Sequence, residues 1–244
     1  MSFSLGGAIP AYRQASDPKV EARALERLAK DPQIQRKLAA FEAAVGKARD
    51  LETALKDPRV LAVLLPAMGL GDQLEFPGLA RRALTADPAD PKGLLSKLTD
   101  ARWKDAVTTL DLKGRGIEAL RDPANIARFD KGLRSLQWRQ SLDETNVGIS
   151  DALFFKQVAG NVTTTFGVLG NAVLRRVVTG ALGLPPELAL QSVEAQARAI
   201  ERRMPLSDLR NPNKVDRLIE RYLANANLDS GTRQGGGYLL SLLT

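Results

Sequence analysis

The sequence predicts an all-α protein, an irregular multi-helix bundle, and three observations carry that prediction. Apolar residues recur at helical spacing, helix starts are marked by a repeated capping phrase, and strand-like alternation is scarce. Aromatics make up only 5% of the chain and runs of β-branched residues are short, which weakens any sheet alternative. With 244 residues, 44% of them hydrophobic, the chain can bury the core of one large domain or two small ones.

The capping phrase is Asp-Pro or Asn-Pro: Asp17-Pro18, Asp31-Pro32, Asp57-Pro58, Asp122-Pro123 and Asn211-Pro212. A short acidic or amide side chain satisfies free N–H groups, and Pro at the first helical position gives up an N–H that had no partner. Thr99-Asp100-Ala101 does the same work without a Pro. Residues 1–50 read as an N-terminal helical extension, with Ile34, Leu38, Phe41 and Val45 on one face. Residues 51–228 read as the main helical domain, where Val60, Leu61, Leu64, Leu65 and Met68 open the series. Residues 85–93, TADPADPKG, form a turn-rich connection, and residues 112–118, LKGRGIE, are the plainest internal linker. Between 119 and 157 lie Phe129, Trp138, Phe154 and Phe155, and Leu153, Phe154 and Phe155 are expected to plug a core.

The stretch VVTGALGLPPEL, Val177 to Leu188, has its glycines after a helical pattern and its prolines after the glycines. A phosphate loop needs the reverse order, glycines ahead of a helix start, so this is a helix end followed by a fresh start. Val193, Ala197, Ile200 and Met204 continue the pattern, then Leu218, Ile219, Tyr222 and Leu223. Residues 229–244 form a glycine-rich, flexible and apolar C-terminal tail. Two stretches, about 51–112 and 165–228, share an order: helix, Gly-Leu joint, helix with an Arg pair, capping phrase, helix. They are either two related helical units or hairpins alike by chance.

Composition excludes much chemistry. With no Cys and no His there is no thiolate nucleophile, Ser-His-Asp triad or ordinary zinc site, and no cofactor is expected. Asp87 with Asp90, and Asp143 with Glu144, read as turn and cap chemistry, and a non-enzymatic protein is expected. Thirty-five Lys plus Arg against 28 Asp plus Glu give +7 and a pI near 9.8, permitting attraction to nucleic acid, acidic lipid or an acidic partner. Acids interleave with the bases, so most of these charges are solvated helix faces.

The candidate basic contacts are the pairs Arg81-Arg82, Arg175-Arg176 and Arg202-Arg203. Each straddles a helix edge, since adjacent positions lie about 100° apart. Nucleic-acid reading would also want interleaved aromatics, which are not evident. The tail residues Tyr238, Leu239, Leu240, Leu242 and Leu243 are a candidate partner-docking segment, or else fold back onto their own bundle. No Sec signal peptide and no membrane span is expected, which leaves a soluble protein, cytoplasmic or exported by another route.

Several separated phrases carry a resemblance: LKDPRVL with GLGD, LTDARWK, GISDALFFKQ, VVTGALGLP with ERRM, and LRNPNKVDRLIERYL. Between about Ala54 and Leu223 the chain closely resembles a bacterial family known as domain-of-unknown-function family 1217. No activity is assigned to that family and it offers no catalytic residues to transfer. Its members are typically encoded among flagellar genes, which implies a flagellar structural or assembly-accessory role with other flagellar or assembly proteins as partners. The residues themselves imply only helix-face contacts, with a basic helical nucleic-acid-binding module as the alternative.

Overall fold

Helix capping sets the architecture. Asp31 accepts from the N–H groups of Gln33 and Ile34 at 2.7 and 3.2 Å, and Asp57 from that of Arg59 at 2.9 Å. Asp17 accepts from Lys19 at 2.9 Å, Asp122 from Ala124 at 2.8 Å and Asn211 from Asn213 at 3.0 Å, so each expected Asp-Pro or Asn-Pro phrase starts a helix; Asn171, outside those phrases, also accepts from Val173 and Leu174. The computed structural model describes residues 7–240, with side chains described as far as Ala226. Among the described residues every regular element is helical and no strand occurs. The tail residues Tyr238, Leu239, Leu240, Leu242 and Leu243 lie outside the described side chains, and their docking role with them.

The chain separates into a central unit, Glu21–Trp138, and a terminal unit, Met1–Val20 with Arg139–Thr244. The boundaries fall inside α2 (Pro18–Leu28), which follows α1 (Ala8–Ala15), and inside a long helix described below. After α2 the central unit contains α3 (Pro32–Lys47), α4 (Leu51–Lys56), α5 (Pro58–Ala67), a 3₁₀ turn at Gly71–Glu75 and α6 (Pro77–Leu84). Then come α7 (Leu94–Lys97), α8 (Ala101–Leu110), α9 (Leu112–Arg115), α10 (Glu118–Arg121) and most of α11 (Pro123–Asp143). Its core gathers Phe41, Leu64, Leu65, Leu84, Trp103 and Phe129, with Phe41 and Phe129 edge to face at 5.4 Å. Residues 21–50 are therefore part of this unit. Gly132 of α11 lies against α5 so closely that a Cβ there would sit 2.2 Å from the Ala67 carbonyl oxygen. The segment expected as a linker, LKGRGIE, instead folds as α9 with Leu112 buried, because its one apolar side chain near the start finds the core; Gly116, at φ 61°, then takes the left-handed turn.

The terminal unit holds α12 (Ile149–Val158), a 3₁₀ turn at Ala159–Asn161, α13 (Thr165–Gly170) and α14 (Ala172–Ala181). A second 3₁₀ turn at Pro186–Leu190, α15 (Val193–Glu201), a third at Leu206–Arg210 and α16 (Pro212–Leu240) complete it. Here α14 and α12 pack on α16, and α1 packs on α12 and α16. Tyr12 fixes that last contact by donating to Asp216 Oδ1 at 2.8 Å, beside Lys156, which donates to the same oxygen at 2.9 Å. Of the expected aromatic plug, Phe155 alone is fully buried. Leu153 and Phe154 are half-buried, because consecutive helical positions cannot all face inward, and the Phe154 ring instead lies under the Arg139 guanidinium at 5.7 Å.

A local order recurs in the two units. A capped six-residue helix (α4, α13) leads to a ten-residue helix (α5, α14) and then to a left-handed glycine, Gly69 at φ 75° and Gly183 at φ 60°. The same interval separates Asp50 from Thr164, Asp57 from Asn171 and Gly69 from Gly183. The correspondence fades afterwards, since α8 has ten residues where α16 runs from Pro212 to Leu240.

Candidate functional site

In the central unit the phrases GLGD and LTDARW meet at one buried arginine. Asp100 caps α8 by accepting from Arg102 N–H at 3.0 Å, and the Arg102 side chain returns to the same carboxylate, Nη2 to Oδ2 at 2.6 Å. Across the fold Arg102 also forks onto Asp72, at 2.8 and 2.9 Å, and donates to the Gly69 carbonyl. Burial pushes the Asp72 carboxyl up, but the hydrogen bonds and charge of Arg102 outweigh it and hold the group below its ordinary range. This cluster fastens the end of α5, the first 3₁₀ turn and the start of α8.

In the terminal unit Arg176, just ahead of VVTG, and Tyr222 of ERYL meet at Asp151 of GISD. Arg176 Nη2 donates to Asp151 Oδ1 at 2.8 Å and the Tyr222 hydroxyl to Oδ2 at 3.0 Å. Two glycines make room for the Tyr222 ring: a Cβ on Gly180 would lie 2.9 Å from Tyr222 Cδ2, and one on Gly148 would lie 3.0 Å from Cε1. Gly180 is thus inside α14 as a packing glycine, and Gly183 alone makes the left-handed turn. Burial, the Asp151 charge and the hydrogen bond push the Tyr222 phenol well above its ordinary value, so it serves as a donor at neutral pH. Asp143 accepts from Ser150 N–H at 2.7 Å, and burial raises its carboxyl, with the Asp151 charge adding to the shift.

The remaining acid pair, Asp87 and Asp90, accepts from the N–H groups of Ala89 and Lys92, both at 2.9 Å, which is turn chemistry. No group of three or more metal-binding side chains occurs among the described residues.

The open chemistry of the terminal unit lies on the outer side of α16. Two adjoining open hollows, of about 510 and about 620 Å³, share Leu182, Arg203, Arg221 and Ala224. The first reaches back to Gly183 and Asn225, and the second runs along α16 past Leu218 and Arg217 to Lys214. Together they make a groove with an apolar floor and a basic rim. Its two acids are already engaged, Asp208 with Lys214 and Glu220 with Arg13, each at 2.6 Å. Arg203, Arg217 and Arg221 are exposed, and among the described residues none of the three has an ion-pair partner.

The structure does not bring the six sequence-predicted arginines to one place. Arg81 is half-buried and Arg82 exposed on α6 of the central unit, while Arg175 is exposed on α14. Arg176 is committed to Asp151, and Arg202 is exposed beside Arg203, the one member of the set that lines the groove. Arg217 and Arg221, which the interleaved acids mark as solvated helix charges, also line the groove. Their signal is spacing: they stand one helical turn apart, on the face away from Ile219 and Leu223, and the acid beside them, Glu220, is taken up by Arg13.

Fold and geometry define a class: an all-α protein of two helical units, each fastened internally by a carboxylate-arginine cluster, with an arginine-rimmed groove on the terminal one. The chain belongs to the family described as "Protein of unknown function (DUF1217)", whose model matches residues 67–215. A crystal structure of a protein from Agrobacterium tumefaciens is similar in fold, with a TM-score of 0.70 and 24% identity over 93% of this chain and 97% of that one. No curated protein matches the chain. Among the described residues no helix is long and apolar enough to cross a membrane.

Proposed function

We propose that the protein is a non-enzymatic, flagellum-associated structural or assembly-accessory protein that works through helix-face contacts with other proteins. The observation that carries the contact part is the groove: three exposed arginines, without ion-pair partners among the described residues, line it over an apolar floor, whereas Arg102 and Arg176 are held by carboxylates within their units. Unpaired charges around an apolar strip favour a partner surface that supplies both the acids and the apolar cover. The flagellar part is supported by the family resemblance, whose members are typically encoded among flagellar genes.

The alternative, a nucleic-acid-binding module, gains support from the same arginines. Against it, no aromatic side chain lines the groove to stack on a base. The test is a deletion strain of the source bacterium complemented with the wild-type gene or with Arg203→Glu, Arg217→Glu and Arg221→Glu combined. Swimming and export of flagellar subunits are expected to fail on deletion, to return with the wild type and to stay impaired with the triple variant. Normal motility of the deletion strain would contradict the flagellar reading, and full rescue by the triple variant would contradict the groove.

A further inference from the structure

Resting on the contact reading above, we infer that the groove receives an acidic amphipathic helix of a partner protein, laid along α16. Its walls are the end of α15, the turn after it and α16, with the Gly183 joint at one end. Helical walls present no strand edge whose N–H and C=O groups could pair with an extended segment, so β-augmentation has no template here. The groove instead offers side chains at helical spacing. Arg217 and Arg221 are four residues apart, about 6 Å along the axis, and carboxylates at i and i+4 of an incoming helix have the same separation. Arg203 adds a third cation on the opposite wall, reached by an acid near the edge of the same helix.

Between these cations half-buried Leu182 and exposed Ala224 offer a short apolar strip, with Met204 and Leu218 buried beneath it as its floor. A free phosphate or a phosphodiester would use the cations and leave this strip uncovered. A helix carrying Glu at i and i+4 with Leu on the neighbouring face uses both. The rim acids do not oppose it, because Asp208 and Glu220 are each neutralised by a cation of this chain, Lys214 and Arg13.

The experiment is fluorescence anisotropy on the full chain, with four labelled probes at low and physiological salt. They are a helical peptide with Glu at i and i+4 and Leu on the adjacent face, its Lys-for-Glu counterpart, oligoglutamate of equal length, and a single-stranded DNA oligomer. The Glu/Leu peptide is expected to bind tightest, to weaken with salt, and to lose about tenfold or more in affinity to Arg217→Glu with Arg221→Glu. Both positions are exposed, so circular dichroism of the variant should match the wild type. Absence of Glu/Leu binding at low salt, equal binding by the variant, or tighter binding of oligoglutamate or DNA would overturn the inference. Those results leave the contact reading to the motility test: a defective triple variant beside a non-binding peptide removes the helical occupant and keeps the groove.

Discussion

Tyr222 shows how single residues of the recurring phrases are spent. Its ring occupies the space that a Cβ on Gly148 or Gly180 would claim, and its hydroxyl joins Asp151 to α16. Gly180→Ala is therefore expected to destabilise the protein by about 1–3 kcal/mol, the usual range for overpacking, read as a lower urea midpoint with unchanged slope. An unchanged midpoint would mean that the ring yields freely. Arg102 makes the matching case in the central unit. Asp72 has a folded-state pKa below its ordinary value of 3.8, so its contribution is present above the unfolded pKa and is lost as pH falls through the folded one. Asp143 works in the opposite sense, because its raised carboxyl favours the folded state more at low pH than at neutral pH. Asp72→Asn should lower the urea midpoint clearly at pH 7 and much less at pH 3. Equal losses at the two pH values would show that the Asp72 charge contributes nothing.

At the scale of elements, the helix starts were legible because their chemistry is local. Asp31, Asp57, Asp100, Asp122 and Asn211 each cap the helix they precede, which follows from side-chain reach and from two or three neighbouring residues alone. What depends on distant neighbours was not legible. Phe154 and Phe155 look alike in sequence, and the side of α12 that packs on α14 and α16 decides which is buried. Gly180 reads as a helix stop until Tyr222 is seen against it, and LKGRGIE reads as a loop until Leu112 is seen in the core. The approach of α11 to α5 is another such case. Gly132 sits mid-helix in α11, where intrinsic propensity disfavours it by about 1 kcal/mol, because the α5 backbone at Ala67 leaves no space for a side chain. Gly132→Ala should thus destabilise by about 2 kcal/mol or more despite its better propensity, measured by denaturant unfolding. A stabilised variant would contradict the described approach of the two helices.

At the scale of the whole molecule, fold class was written plainly in the sequence and the groove was not. Composition excluded the chemistry of Cys and His, and helical periodicity gave the all-α class; neither could say which of 35 basic residues would be left without partners. That outcome needed the pairings of Asp208 with Lys214 and Glu220 with Arg13, which join positions on separate elements. The central claim is that the basic groove is a protein contact. Its most direct test places a photo-crosslinking amino acid at Ala224, shared by both hollows, in motile cells, with the same group at exposed Arg82 as control. The account predicts one discrete protein adduct from position 224, mapped to an acidic segment and lost with Arg217→Glu and Arg221→Glu. No adduct, a nucleic-acid adduct, or the same adduct from position 82 would contradict it.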